Sequence, residues 1–217
     1  MALVIFDLDN TLLGGDSDFL WGEFLIKNGY VDATEFAAQN KQFYEDYQAG
    51  TLDIMAYQRF ALKPLSEQSM PTLDKWHAEF MQDFIEPIVL PKALALVNEH
   101  QRKGDRVIII TATNTFVTRP IGVRYGIEEL LGTNGEITQQ RYTGEVDGIP
   151  TFQAGKVTRL KEWLTVEGET LEGSYFYSDS FNDLPLLEVV DHPVVVDGDD
   201  TLLEIAKQRN WPTISLR

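Results

Sequence analysis

Four continuous apolar runs punctuate the chain, and each breaks on a polar residue. Leu3–Phe6 ends at Asp7, Arg106–Ile110 at Thr111, Ser174–Tyr177 at Ser178-Asp179, and Pro193–Val196 at Asp197. Short runs rich in β-branched and aromatic side chains predict strands buried on both faces of a parallel sheet. Between them the apolar period becomes helical. Pro91–Lys103 stops at Gly104 and Phe116–Tyr125 at Gly126, and further helices are predicted over Lys156–Leu164 and Leu184–Val190. Strands alternating with helices predict a doubly wound, mostly parallel α/β sheet.

Residues 14–87 break this rhythm. They are helical and aromatic, with Phe19, Trp21, Phe24, Phe36, Phe43, Tyr44, Tyr47, Tyr57, Phe60, Trp76, Phe80 and Phe84, and they show no strand pattern. A connection in an α/β unit usually takes only a few residues. The stretch is therefore expected to be an inserted helical cap, entered through Leu13-Gly14-Gly15 and left near Glu86-Pro87. Residues 1–13 and 88–217 would form the Rossmann-like core. A smaller feature, Glu136–Val146, alternates around a polar turn after Asn134-Gly135 and predicts a β-hairpin.

Composition narrows the function. The chain has 217 residues, 43% hydrophobic and 24% charged, which suits one core domain with an insertion. Cysteine is absent, which excludes disulfides and zinc–thiolate sites. No apolar run approaches the ~20 residues that span a bilayer. MALVIFDLDN carries no basic segment ahead of its apolar run, so a cytoplasmic protein is expected. The net charge of −16 argues against nucleic-acid binding. An anionic substrate would need positive charge supplied locally, by a metal, a lysine or helix N-termini.

Ligands of open α/β sheets bind at the carboxyl ends of the strands. Asp7, Asp9, Thr111, Asp179 and Asp183 are therefore expected in one crevice. Asp7 and Asp9, two apart at a strand end, suit a nucleophile and a general acid, and both are hard oxygen ligands. Thr111 and the N–H of Ala112 precede a helix and suit an anion, although an ordinary helix cap is the plainer account. Lys156 follows Gly155 at a helix start, with Lys161 on the same helix as its rival. Asp179 and Asp183 bracket a strand-to-helix turn with Asn182 beside them, where acidic loops are common.

The order of these elements along the whole chain, FDLDNTL, IIITAT, one lysine, then SDSFNDLPLL, resembles the haloacid-dehalogenase-like phosphohydrolases. The helical insertion after the first motif resembles the phosphoserine-phosphatase-like branch. TATNTFVTRPI is similar to a bacterial subgroup of it that includes histidinol-phosphate phosphatases. The resemblance implies a Mg²⁺-dependent phosphomonoesterase acting through an aspartyl-phosphate. Asp7 would be the nucleophile and Asp9 the acid and base. Asp7, Asp9, Asp179 and Asp183 would form the metal site, Asp9 through its carbonyl. Thr111, Ala112, Lys156 and Asn182 would hold the phosphoryl group.

In that branch, an acid shortly after the first motif binds the substrate amine, and without gaps it falls on Asp16. A cap arginine binds the substrate carboxylate, but ungapped alignment places Ala61 there, with Arg59 the nearest arginine. An amine acid without its arginine suits an amino-alcohol phosphate such as L-histidinol phosphate. Glu23, with Trp21 and Phe24, would accommodate the imidazole, against the plainer account that these aromatics are core. Phosphoserine or a range of small phosphomonoesters is the alternative. Phosphoryl transfer to a sugar and a non-catalytic binding module are the rivals. The expected partner is a small phosphorylated metabolite, with no nucleic acid or membrane, for a monomer or homodimer.

Overall fold

The computed structural model describes residues 2–217. Seven strands form one sheet in the order β4-β3-β2-β1-β5-β6-β7. They are β1 (Leu3–Phe6), β2 (Arg106–Asn114), β3 (Leu130–Thr138), β4 (Arg141–Asp147), β5 (Tyr175–Ser178), β6 (His192–Val196) and β7 (Thr213–Ile214). All pairings are parallel except the β3–β4 hairpin. The chain runs from β1 outward through β2 to β3, then returns to place β5 on the other side of β1. The order thus reverses at β1, and its carboxyl end opens a crevice.

The sheet is buried on both faces because alternate strand residues point opposite ways. Val4 and Phe6 join one apolar cluster, and Leu3 and Ile5 the other. On the first face lie α5 (Pro91–Arg102) and α6 (Thr115–Arg124), through Ala93, Val97, Val117 and Ile121. On the second lie α7 (Ala154–Glu167), α8 (Leu184–Leu187) and α9 (Asp200–Arg209), through Leu160, Leu186, Leu187, Leu202 and Ala206.

Between β1 and α5 run α1 (Ser17–Lys27), α2 (Ala33–Ala49), α3 (Ile54–Ser66) and α4 (Met70–Phe80). Aspartates cap the first three, Asp16, Asp32 and Asp53, and Ser69 caps the fourth. The end of α4 widens into a π-turn over Met81–Ile85 before a short 3₁₀ turn, Glu86–Ile88. At the base of this helical layer the entering and leaving strands meet. Leu13 pairs with Val89, and the Gly14 N–H donates to the Ile88 carbonyl at 2.8 Å. Trp21, Phe24, Leu62, Leu65, Leu73, Trp76 and Phe80 belong to the same cluster as Val4 and Phe6. The helical layer and one face of the sheet therefore share one apolar core.

Three features depart from the sequence expectation. β2 continues past Thr111 to Asn114, with a register shift against β3 after Ile110. The hairpin arm begins at Leu130, so β3 is at once a parallel partner of β2 and one arm of the hairpin. Its turn is Gln139-Gln140, both at positive φ as a tight hairpin turn requires, and Asn134-Gly135 lies inside the strand. β7, at the sheet edge, has only two residues and no apolar run to announce it.

Candidate active site

Asp7 stands one residue beyond β1, where its N–H donates to the Tyr177 carbonyl on β5 at 2.9 Å. Its carboxylate is buried against Lys156, whose Nζ donates to Asp7 Oδ1 at 2.6 Å and to Asp183 Oδ2 at 2.8 Å. The Ser178 hydroxyl donates to the same Asp183 oxygen at 2.7 Å. The start of α7 is shaped to deliver this ammonium. Gln153 takes a positive φ of 47°, and a Cβ at Gly155 would come within 2.1 Å of the Pro150 carbonyl oxygen. Lys156 itself is 2% exposed. Burial opposes its charge, but Asp183 and Asp7 outweigh burial and hold it protonated, above the usual lysine range. Burial pushes Asp7 up to about 7 against the pull of Lys156, with Asp183 and Asp9 adding repulsion. Asp179, which accepts from the Thr11 hydroxyl at 3.0 Å, is raised well above the usual range by burial and then by Asp7 and Asp183.

Asp9 faces the other strand. Its Oδ1 accepts from the Ser17 N–H, in the first turn of α1, at 2.6 Å. Its Oδ2 accepts from the hydroxyls of Thr113 at 2.9 Å and Thr111 at 3.5 Å, both on β2. The loop between them turns back at Asn10, which takes a positive φ of 58°, and the Asn10 N–H donates to the Gly15 carbonyl. Burial, with Asp16 the nearest repelling charge, pushes Asp9 up to about 7. A carboxyl that titrates there can give up or take a proton near neutrality.

A cavity opens between these strand tips and the helical layer. Asp7, Asp9, Thr111, Ala112 and Thr113 line its floor, and Asp16 and Asp18 one wall. Phe19, Phe43, Tyr44, Tyr47 and Tyr57 supply aromatic surface. Among the described residues that line it, none is Lys, Arg or His. Burial pushes Asp16 and Asp18 up to about 7 as well.

The sequence candidates separate here. The structure brings Asp7, Asp9, Thr111, Ala112 and Asp16 to the cavity, with Lys156, Asp179 and Asp183 immediately behind Asp7. It does not bring Glu23 or Arg59. Glu23 is not among the lining residues, and Arg59 is exposed on α3, 3.5 Å from Glu145 on β4. Trp21 and Phe24 face the core and stack on each other, Trp21 also against His77 and Phe80, so the core account of them holds. Asn182 is committed elsewhere. Its Oδ1 accepts from Gln153 Nε2 at 3.0 Å, and its Nδ2 donates to the Tyr47 carbonyl at 3.1 Å, tying the acidic loop to α2. Asp183 likewise turns its oxygens to Lys156 and Ser178.

Thr11, Thr113, Ser178, Asp18 and Gln153 escaped the sequence reading. The second threonine of Thr111-Ala-Thr113 and the serine opening the Ser178–Asp183 motif were visible beside residues already singled out. The buried donor set is one of hard oxygens, and its carboxylates outnumber the single lysine. Among the described residues no cluster of three metal-ligating side chains forms. Mg²⁺ does not require one, since it is commonly held by one or two carboxylates with water and substrate phosphate completing its shell. Asp7, Asp179 and the Asp9 carbonyl fit that demand, and the raised affinity of Asp7 and Asp179 for protons marks where a cation would relieve repulsion.

The sequence model of haloacid dehalogenase-like hydrolases matches residues 4–188. A histidinol-phosphatase of Neisseria meningitidis is 47% identical, covering 99% of each chain. A phosphoserine phosphatase of Mycobacterium tuberculosis is 29% identical over 97% of this chain and 69% of its own. Among solved structures, a Bordetella pertussis protein of unknown function superposes with a TM-score of 0.94 at 41% identity, over 100% of this chain and 99% of that one. A substrate-bound phosphoserine phosphatase superposes with a TM-score of 0.72 at 16% identity, over 98% and 92%, and shares the fold.

Proposed function

Since this chain belongs to the haloacid dehalogenase-like hydrolases and is a phosphatase, we propose that it hydrolyses the phosphomonoester of a small cationic amino alcohol, foremost L-histidinol phosphate. The observation that carries this reading is the cavity wall. Beyond the strand tips it offers two further carboxylates and aromatic rings, with no basic side chain among its described lining residues. Such a wall attracts an ammonium or imidazolium group. It also leaves a substrate carboxylate without a partner, which disfavours phosphoserine. The name of the Neisseria relative agrees with this chemistry.

The geometry supports the following reaction. Asp7 attacks phosphorus with an ionised oxygen, and the adjoining Lys156 ammonium favours that form. The P–O bond to the alcohol breaks as the bond to Asp7 forms. Asp9, oriented by the Ser17 N–H and the Thr113 hydroxyl, gives its proton to the leaving oxygen. Asp9 then takes a proton from the water that attacks phosphorus, the bond to Asp7 breaks, and inorganic phosphate leaves. Thr111 and the Ala112 N–H, with Lys156, hold the phosphoryl oxygens. Mg²⁺, held by Asp7, Asp179 and the Asp9 carbonyl, would supply charge to stabilise the transferring group. Residues 14–87 act as the cap that closes over the ester and excludes bulk water.

The test is phosphate release in Mg²⁺ at neutral pH from L-histidinol phosphate and L-phosphoserine side by side. A kcat/KM for histidinol phosphate at least about 10²-fold higher is expected from a buried charge left unpaired by the wrong substrate. Equal or better turnover of phosphoserine would overturn the reading.

A further inference from the structure

Two aspartates share the wall of the cavity, and they are not equivalent. Asp16 is already used. Its Oδ1 accepts the Phe19 N–H at 2.8 Å and caps α1, the ordinary work of an aspartate at that position. Asp18 stands two residues on, in the first turn of the same helix, where an acid usually faces solvent and gains a little from the helix dipole. Here it is turned into the cavity. Its Oδ1 is buried and has no hydrogen-bond partner among the described residues. The Tyr57 hydroxyl faces the carboxylate and favours its charged form, and Thr113 donates to Asp9 at 2.9 Å, but neither gives Oδ1 a hydrogen bond. A carboxylate oxygen removed from water without a donor is costly, and a ligand cation placed in the cavity would supply the missing partner.

We infer that Asp18, rather than Asp16, is the carboxylate that binds the cationic group of the substrate. The inference rests on the proposed substrate class and deepens it. Asp18 stands in the wall with the aromatic residues Phe19 and Tyr57. Catalysis and recognition are thereby divided along one short segment: Asp7 and Asp9 act on the phosphoryl group, Asp16 holds the helix start, and Asp18 reads the substrate.

The assignment is tested with Asp18→Asn and Asp16→Asn, assayed on L-histidinol phosphate and on glycerol 2-phosphate, which carries no amine. Inhibition by L-histidinol is measured in parallel and reads binding of the cationic part alone. For Asp18→Asn the ratio of kcat/KM between the two esters is expected to fall about 10- to 100-fold, mostly through KM. L-Histidinol inhibition should weaken by a similar factor, and Asp16→Asn should lower the melting temperature with a smaller change in the ratio. Equal loss on both esters, or selective loss in Asp16→Asn alone, overturns the assignment. If Asp18→Asn does not fold, Asp18→Ser is read the same way. A wild-type enzyme that does not prefer histidinol phosphate to glycerol 2-phosphate overturns the substrate class itself, a result visible before any variant is made.

Discussion

The two sides of the cavity are built on opposite principles. On the sheet side every reactive group is pinned. Lys156 bridges Asp7 and Asp183, Thr11 holds Asp179, and Ser17, Thr111 and Thr113 hold Asp9. On the helical side the lining is aromatic rings, Asp16 held by the Phe19 N–H, and Asp18, whose Oδ1 has no hydrogen-bond partner among the described residues. The first side holds its groups through bonds within the chain, and the second leaves one carboxylate oxygen free to accept. On the proposed reading, chemistry common to many esters sits on the pinned side, and the choice among esters sits where a partner is missing.

This contrast can be broken most severely at Asp7. Asp7→Asn removes the proposed nucleophile while keeping its shape, and phosphate release should fall at least about 10³-fold. Circular dichroism should show an unchanged fold. Turnover near the wild-type rate would remove Asp7 from its role. Next is Lys156→Ala, which leaves Asp7 and Asp183 buried without their counter-charge. Breaking such a cluster costs about 3–5 kcal/mol, and chemical denaturation is expected to show it together with loss of activity. A loss of activity alone would mean that the lysine is dispensable to the fold.

Acidity probes the same side more gently. Asp7 and Asp9 are pushed up to about 7 from an ordinary 3.8. The folded protein therefore holds protons more tightly than the unfolded chain. Stability from these groups is full below about pH 4 and lost as pH rises through 7. The cation-free protein should melt several degrees lower at pH 8 than at pH 5.5. Added Mg²⁺ should raise the melting temperature more at pH 8 than at pH 5.5, because protons and the cation compete for the same oxygens. A Mg²⁺ effect independent of pH would refute this. The smallest effect is expected at Arg59→Ala, which removes an exposed pairing with Glu145. Stability should move by less than about 0.5 kcal/mol and kcat/KM by less than about twofold, measured on L-histidinol phosphate. A large loss would return Arg59 to the site.

The same contrast explains what the sequence disclosed. A parallel strand buried on both faces is a continuous apolar run, so the polar residues that follow Phe6, Ile110 and Tyr177 mark where that run gives out at one edge of the sheet, although β2 itself continues to Asn114. Asp7, Thr111 and Asp179 were legible for that reason. The helical layer offers no such marker. Phe19 lines the cavity while Trp21 and Phe24 fill the core, yet all are aromatics in one helix, and helical spacing does not say which face looks at the ligand. Arg59 follows Gln58, but Gln58 is buried and donates to the Ala112 carbonyl, whereas Arg59 is exposed beside Glu145. β3 was shortened in the reading because Gly132, Asn134 and Gly135 interrupt its pattern, although the strand runs through them.

The bond from Asn182 to the Tyr47 carbonyl joins the loop of Asp179 and Asp183 to α2. Any opening of the helical layer that broke this bond would slacken the loop with it, as linked equilibria rather than separate motions. Whatever orders the acidic loop favours closure, and by thermodynamic reciprocity whatever closes the layer orders the loop by the same free energy. On the proposed reading, an amino alcohol bound to the helical wall would steady the acidic loop, and the departing product would release it.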